Sequence, residues 1–381
     1  MGIMINHNKK IKVLQFTIAA TKGGRTQYIL NVWNHIDKTK FVFDFITFSE
    51  HLDFEEEIIQ SGGRVFYISV HPEEDKEKFI KEFCTVLDNR YDVIEIHTSY
   101  WVSTIVEQLA IKARIPKIII HSHSAGISKT LSKDERERVE KRHYELRRQL
   151  TNDTATDFWA CSREAAEWLF ADKISQKKIE IFHNTIDTKN YRYNPRKRSA
   201  MRRKLMLENK QVIGFPGSLE KVKNVEFLID VFVRVHSENG NTVLLLVGDG
   251  TLRRELERKC VEAGLELGKD VMFTGLVDNV SDYLQVMDVF ALPSFFEGFS
   301  IVTLEAQCTG LKCVVSNHVP TVIEITSLVK RLPLEHNLWQ SEMMASLSGY
   351  ERTNRSEELK EKGFDTERFI KKLEMKYADR S

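Results

Sequence analysis

Short apolar runs rich in β-branched residues alternate along the chain with longer segments of helical length. In the first half the runs are Ile11–Thr17, Val42–Phe48, Val65–Ser69, Val93–Ile96, Lys117–Ile120, Phe158–Ala160 and Ile179–Phe182. Most are apolar throughout, as strands covered on both faces must be. Between them lie Thr26–Ile36, Phe54–Ser61, Lys76–Leu87 and Trp101–Ala113, which read as helices. This order predicts an α/β fold with a doubly wound parallel sheet. The pattern then restarts. Strands are predicted at Val212–Phe215, Val243–Val247, Val271–Thr274, Val289–Leu292 and Val314–Ser316, with helices at Val225–Ser237, Leu252–Ala263, Val280–Met287 and Ser300–Thr309.

Two Rossmann-like sheets in series follow, and 381 residues are enough for two domains. We place the first domain at 1–190, the second at 191–360 and a C-terminal helix at 361–381, with Asp365–Tyr377 as its amphipathic part. The segment Ser346–Glu357 is polar and reads as loop. Open α/β sheets bind ligands outside the carboxyl ends of their strands, so a central cleft faced by the two sheets is the place to look for chemistry.

Composition narrows the class. The net charge is +1, so no global field favours nucleic acid. The five cysteines include no C-x-x-C pair, which argues against a zinc knuckle or a disulfide framework and for a reducing compartment. The N-terminus has no apolar run of signal-peptide length, and no stretch reaches the roughly 20 apolar residues of a membrane span. The expected location is the cytoplasm. The junction carries Arg192, Arg196, Lys197, Arg198, Arg202, Arg203 and Lys204. It reads either as a solvated helix face or as a surface attracted to anionic lipid at the inner membrane face.

The densest local signal is Glu297-Gly-Phe-Ser300-Ile301-Val-Thr-Leu-Glu305, after the strand that ends at Leu292. A strand end that feeds a helix N-terminus presents free N–H groups and a favourable dipole to a phosphate. Ser300 is placed to cap that helix or to give its hydroxyl to a ligand. On a single helix, Glu297 and Glu305 would stand roughly 12 Å apart along the axis. That exceeds the ~5–9.5 Å of hydrolytic carboxylate pairs and suits two ends of one extended ligand.

This stretch resembles the E-x₇-E motif of retaining GT-B glycosyltransferases, in particular glycosyltransferase family 4. Three further stretches agree in order: Leu246-Val-Gly-Asp-Gly-Thr-Leu-Arg253, Phe273-Thr-Gly275 and Leu292-Pro-Ser294. Trp159-Ala-Cys-Ser162 followed by Ala165–Phe170 is similar to the family's last N-domain strand and helix. The match covers nearly the whole chain and is close to capsular and exopolysaccharide enzymes. The resemblance implies transfer of a sugar from a nucleotide diphosphate donor, with UDP as the expected carrier, onto a glycan or lipid-linked acceptor. Glu297 would contact the donor sugar and Glu305 the ribose hydroxyls. The N–H groups at Ser300 and Ile301 would hold the diphosphate, and the loop after Gly275, around Leu276–Val280, the base. The acceptor would bind mainly to the first domain.

The loop Thr21-Lys-Gly23-Gly24 follows the first strand. Adjacent glycines let backbone approach a ligand, although a plain turn explains them equally. In the resemblance this loop touches donor phosphate or acceptor. Lys223-Asn224 fits the family's Lys-Asn, with Lys223 neutralising the departing diphosphate. The family's arginine is replaced by Ser218, which carries no charge, and Lys221 stands nearby as a substitute cation. In Ile120-His121-Ser-His123, His121 matches the N-domain histidine near the donor sugar, and His123 is the weaker candidate. His97 is a further cleft-lining residue, and His183 matches a structural turn. No D-x-D pair sits in a loop suited to Mg²⁺, so neither metal nor cofactor is expected. Asp249 and Asp288 are read as turn and capping residues. Two other readings remain open: a nucleotide-sugar epimerase of the same fold, and a catalytically silent nucleotide-sugar-binding protein.

Overall fold

A computed structural model describes residues 10–20, 24–127, 132–170 and 172–379. Contacts divide the chain into two compact units. The first holds the residues through Asn184 together with the segment from Thr366 onward, and the second is Thr185–Asp365.

The first unit runs β1 (Ile11–Phe16), α1 (Gly24–His35), β2 (Phe41–Thr47), α2 (Glu55–Gln60), β3 (Val65–Tyr67), α3 (Lys76–Leu87), β4 (Val93–Thr98), α4 (Ile105–Lys112), β5 (Lys117–Ser122), α5 (Lys133–Arg147), β6 (Asp157–Ala160), α6 (Arg163–Leu169) and β7 (Ile179–Ile181). Its seven strands are ordered β3-β2-β1-β4-β5-β6-β7 and pair in parallel. The strand order reverses between β1 and β4, which makes their carboxyl ends the switch point where such sheets take ligands. Residues on the two faces of the sheet bury into two separate clusters. Leu14, Ile94 and Ile120 face one, while Val13, Val93 and Ile119 face the other. This is why the strands read as apolar without alternation.

The second unit runs α7 (Pro195–Lys204), β8 (Gln211–Pro216), α8 (Val225–Glu238), β9 (Thr242–Val247), α9 (Arg253–Glu262), β10 (Val271–Phe273), α10 (Val280–Val286), β11 (Val289–Leu292), α11 (Ile301–Cys308), β12 (Lys312–Ser316), β13 (Val329–Leu332), α12 (His336–Leu347) and α13 (Ser356–Glu361). Its parallel sheet is ordered β10-β9-β8-β11-β12-β13, with the switch point between β8 and β11.

The last helix, α14 (Thr366–Ala378), packs on the first unit. Phe369, Ile370, Leu373 and Tyr377 form one apolar stripe and join the cluster around Val13, Phe41 and Phe43. Lys376 pairs with Glu180, and Asn31 donates to the Thr366 hydroxyl at 3.2 Å.

Two charged helices escape an apolar-periodicity reading for different reasons. α5 buries only His143 and Leu146 and is set instead by a capping box, Ser132 with Glu135. We expect Ser132→Ala to cost about 1 kcal/mol of stability. Urea unfolding that shows no change in midpoint would refute that role.

The basic junction helix α7 is neither wholly solvated nor wholly free for lipid. Arg198 donates to the carbonyls of Gln285, Val286 and Met287 and to Asp288. Arg202 donates to Val286 and also pairs with Asp288. These guanidiniums satisfy the open carbonyls at the C-terminus of α10. Lys197 pairs with Asp282 and Arg192 with Glu357. Arg196, Arg203 and Lys204 remain exposed. Asp288, which also accepts from the Val212 N–H at 2.8 Å, is the structural cap that the sequence suggests.

Candidate active site

In the second unit the loops after β8 and β11 meet at the switch point. The first loop turns through Gly217 and Ser218 into a short 3₁₀ turn, Lys221–Lys223. Asn224 follows in the left-handed conformation and donates to the Pro293 carbonyl at 3.2 Å. The Phe295 N–H in turn donates to the Val222 carbonyl at 2.9 Å. These bonds tie the two loops together and bring Lys223 to Glu297, with Nζ and Oε1 2.6 Å apart. The same carboxylate oxygen accepts from the buried Ser294 hydroxyl at 2.7 Å. Both charged side chains are mostly buried, at 20% and 10% exposed, so their attraction is little screened.

Glu297 lies in the loop, not on the helix that carries Glu305. The helical spacing assumed for the pair therefore does not apply. Ser300 adopts φ +71° and ψ 72° at the head of α11. Its hydroxyl does not cap the helix but bonds the Thr303 hydroxyl at 2.7 Å. The first N–H groups of α11, beginning at Ile301, lack intrahelical acceptors by geometry, an arrangement that suits an anion. Glu305 sits in the second turn. Burial pushes its carboxyl up to about 7, against the opposing hydrogen bond from Tyr191.

The neighbouring turns explain the glycines. Gly248 has φ +139°, and a Cβ there would collide with the Gly217 carbonyl oxygen. Gly275, at φ +72°, bridges Gly248 and precedes Leu276, which is 84% exposed. Asp249 accepts from Gly250 N–H and pairs with Arg253, so it is a turn residue. Ser218 and Lys221 are both exposed.

In the first unit a cleft of about 800 Å³ opens at the β1/β4 switch point. This is within the range of small-ligand sites. Phe16, Phe48 and His71 line it, the last two stacked at 4.0 Å, together with Gly24, Arg25, His97 and Glu107. Gly23 lies outside the described residues.

Behind this cleft is a buried polar network. Glu95 accepts from His121 Nδ1 at 2.8 Å and from Tyr377 Oη and Gln15 Nε2. His97 Nε2 meets Gln15 Oε1 at 2.5 Å, and its Nδ1 meets His123 Nε2 at 2.9 Å. Burial pushes the His97 and His123 imidazoles well down, so both are neutral near pH 7. His121 is fully buried and its Nε2 makes no hydrogen bond, while the partly exposed ring is His123. Ring nitrogens of His97, His121 and His123 lie within 4.8 Å of one another, the geometry of a metal-capable set. His183 bonds the Cys161 carbonyl and is structural.

Sequence reading did not anticipate the Lys223–Glu297 pair, the Tyr191–Glu305 bond or the buried Glu95. The first needed knowledge of which loops flank the switch point. Glu95 was masked by its place inside an otherwise apolar strand.

Comparison with known proteins gives this geometry its context. The model of Glycosyltransferase Family 4 matches residues 22–190, and that of Glycosyl transferases group 1 matches 210–331. The chain is 25% identical over 379 residues to the putative glycosyltransferase EpsF of Bacillus subtilis (strain 168), covering 96% of each. It is 30% identical over 147 residues, 38% of each chain, to the UDP-Gal:α-D-GlcNAc-diphosphoundecaprenol α-1,3-galactosyltransferase of Escherichia coli. Among solved structures, HepE of Anabaena, crystallised with UDP, superposes with a TM-score of 0.76 at 18% identity, covering 97% of this chain and 100% of that one. Among the described residues no helix is long and apolar enough to cross a membrane. With two doubly wound sheets, and with both family models falling on them in order, the chain belongs to the group 1, family 4 glycosyltransferases of GT-B architecture.

Proposed function

We propose that the protein moves a sugar from a UDP-sugar onto a lipid-linked glycan in polysaccharide assembly, with retention of anomeric configuration. The observation that carries the reading is the Lys223–Glu297 pair at the β8/β11 switch point, beside the open N-terminus of α11. A diphosphate there meets a cation and free N–H groups together. The ammonium has three donors, so Lys223 can hold Glu297 and a phosphate oxygen at once. Glu297 would hold the donor sugar, Glu305 the ribose, and the exposed loop after Gly275 the base. The acceptor would occupy the cleft of the first unit. The anomeric C–O bond breaks and its electron pair passes to the β-phosphate oxygen. The acceptor hydroxyl oxygen bonds the anomeric carbon and its proton goes to the leaving phosphate.

The UDP carrier and the lipid-linked acceptor are supported by the partial relative from E. coli, whose name specifies both. The exposed Arg196, Arg203 and Lys204 of α7 give a small cationic surface for docking at an anionic membrane face.

Calorimetry with UDP, followed by mass spectrometry of products from a set of UDP-sugars, tests the proposal. Binding together with transfer to acceptor is expected. Donor consumption without any acceptor would favour an epimerase, and binding without turnover a silent binding protein. Lys221→Ala is expected to weaken UDP about threefold to tenfold, the range of one exposed charge contact. Identical isotherms would remove Lys221 from the account.

A further inference from the structure

We propose that Glu107 recognises the acceptor, its buried carboxyl binding a sugar hydroxyl in the β1/β4 cleft. This rests on the transferase reading above. Glu107 stands in the first turn of α4, which follows β4, one of the two strands at the switch point. It lines the cleft beside Trp101, Val102 and Val106. It is 2% exposed, and its Oε2 makes no hydrogen bond. Buried acceptors without partners are rare in native folds and point to a ligand or a functional strain. A second, smaller pocket of about 230 Å³ abuts the same residue. Glu107 thus stands in the partition between two concave surfaces.

The class of ligand follows from the chemistry of the group. Burial pushes the Glu107 carboxyl up to about 7, and no cation offsets that burial. Near neutral pH it is therefore a mixture of acid and carboxylate. An ammonium suits only the carboxylate and a phosphate only the acid, whereas a hydroxyl donates to one form and accepts from the other. Phe16, Phe48 and Val106 give the same cleft apolar surface, which suits the C–H groups of a sugar ring. A polar oxygen flanked by such surfaces is the arrangement of a small-ligand site with one orienting group.

The test compares wild type with Glu107→Leu and Glu107→Gln. Labelled UDP-sugar, of the kind that wild type turns over fastest, is supplied with the organic-soluble and water-soluble extracts of the cells the protein comes from. Glu107→Leu is expected to raise the half-saturating amount of acceptor extract at least tenfold. Its acceptor-independent donor hydrolysis and UDP affinity should match wild type. Glu107→Gln, which keeps the hydrogen-bonding capacity, should stay within about threefold. Both variants should melt at pH 8 no lower than wild type, because a buried acid with one unpartnered oxygen has been removed. Equal half-saturation for Glu107→Leu and wild type would overturn the assignment of Glu107. Failure of wild type to transfer to either extract, with UDP bound, would instead sink the transferase reading on which it rests.

Discussion

Replacing Lys223 by alanine is expected to lower the rate of sugar transfer about 100- to 1,000-fold while the protein stays folded. The size follows from the role proposed above for the ammonium. When the anomeric bond breaks, negative charge grows on the diphosphate, and a fixed cation at that point stabilises the transition state more than the ground state. Lys223 is fixed because Glu297 holds it at 2.6 Å and Ser294 holds Glu297. The charge is therefore aimed before the donor arrives, and no reorganisation is needed during the reaction. Alanine removes the cation and leaves Glu297 with only the Ser294 hydroxyl. The variant loses stabilisation and gains a carboxylate that repels the leaving group.

The two effects can be separated. Glu297→Gln removes the negative partner but keeps its shape, so its transfer rate should fall less than that of Lys223→Ala. The double variant should fall short of the product of the two single effects, because the residues act through one contact. Steady-state rates at saturating donor, with thermal melting to confirm the fold, decide the matter. A Lys223→Ala enzyme with a rate within threefold of wild type would remove the ammonium from the mechanism.

How far this was legible in the sequence depends on the kind of signal. Strands buried on both faces announce themselves as apolar runs, so β11, Val289–Leu292, is found residue for residue, and α3, Lys76–Leu87, likewise. Edge strand β13, Val329–Leu332, was missed because Lys330 and Arg331 break its apolar run. α5 was missed because it buries almost nothing, although Ser132-x-x-Glu135 was present as a start signal. At the site, the residue types near Glu297 and Ser300 were readable from local chemistry. Their partners were not, because Lys223 and Glu297 are 74 residues apart and meet only through the strand order β8-β11. Tyr377 and Glu95 are 282 residues apart and meet only because α14 returns to the first unit. Periodicity reports what an element buries, and it does not report what a loop or a buried polar group touches.

That last contact carries the second large effect. Glu95→Leu is expected to cost about 3–5 kcal/mol, the range for removing one partner from a buried charged network. Burial acts to raise the Glu95 carboxyl, but the hydrogen bonds from His121 and Tyr377 outweigh it, and the group is held below its ordinary 4.5. It is a carboxylate at neutral pH. Removing it strands the Tyr377 hydroxyl, the His121 Nδ1–H and the Gln15 amide in a region of near-zero exposure. A typical domain has only about 5–15 kcal/mol in hand, so the loss is a large share of the total. The pH dependence has a definite sign. Glu95 is depressed, so its contribution is complete above pH 4.5 and lost as pH falls below that value. His97 is depressed from 6.5, so its neutral form adds stability that is lost as pH falls below 6.5. Wild type should thus weaken steadily from about pH 6.5 downward, with a second and steeper loss below about 4.5. In Glu95→Leu the second step should shrink, because the carboxylate that titrates there is gone. Urea unfolding at pH 7.5, 5.5 and 4 measures both. A Glu95→Leu protein within 1 kcal/mol of wild type at pH 7.5 would show that the Gln15, His97, His121 and Tyr377 side chains find other partners, and that α14 keeps its place without the Tyr377–Glu95 contact.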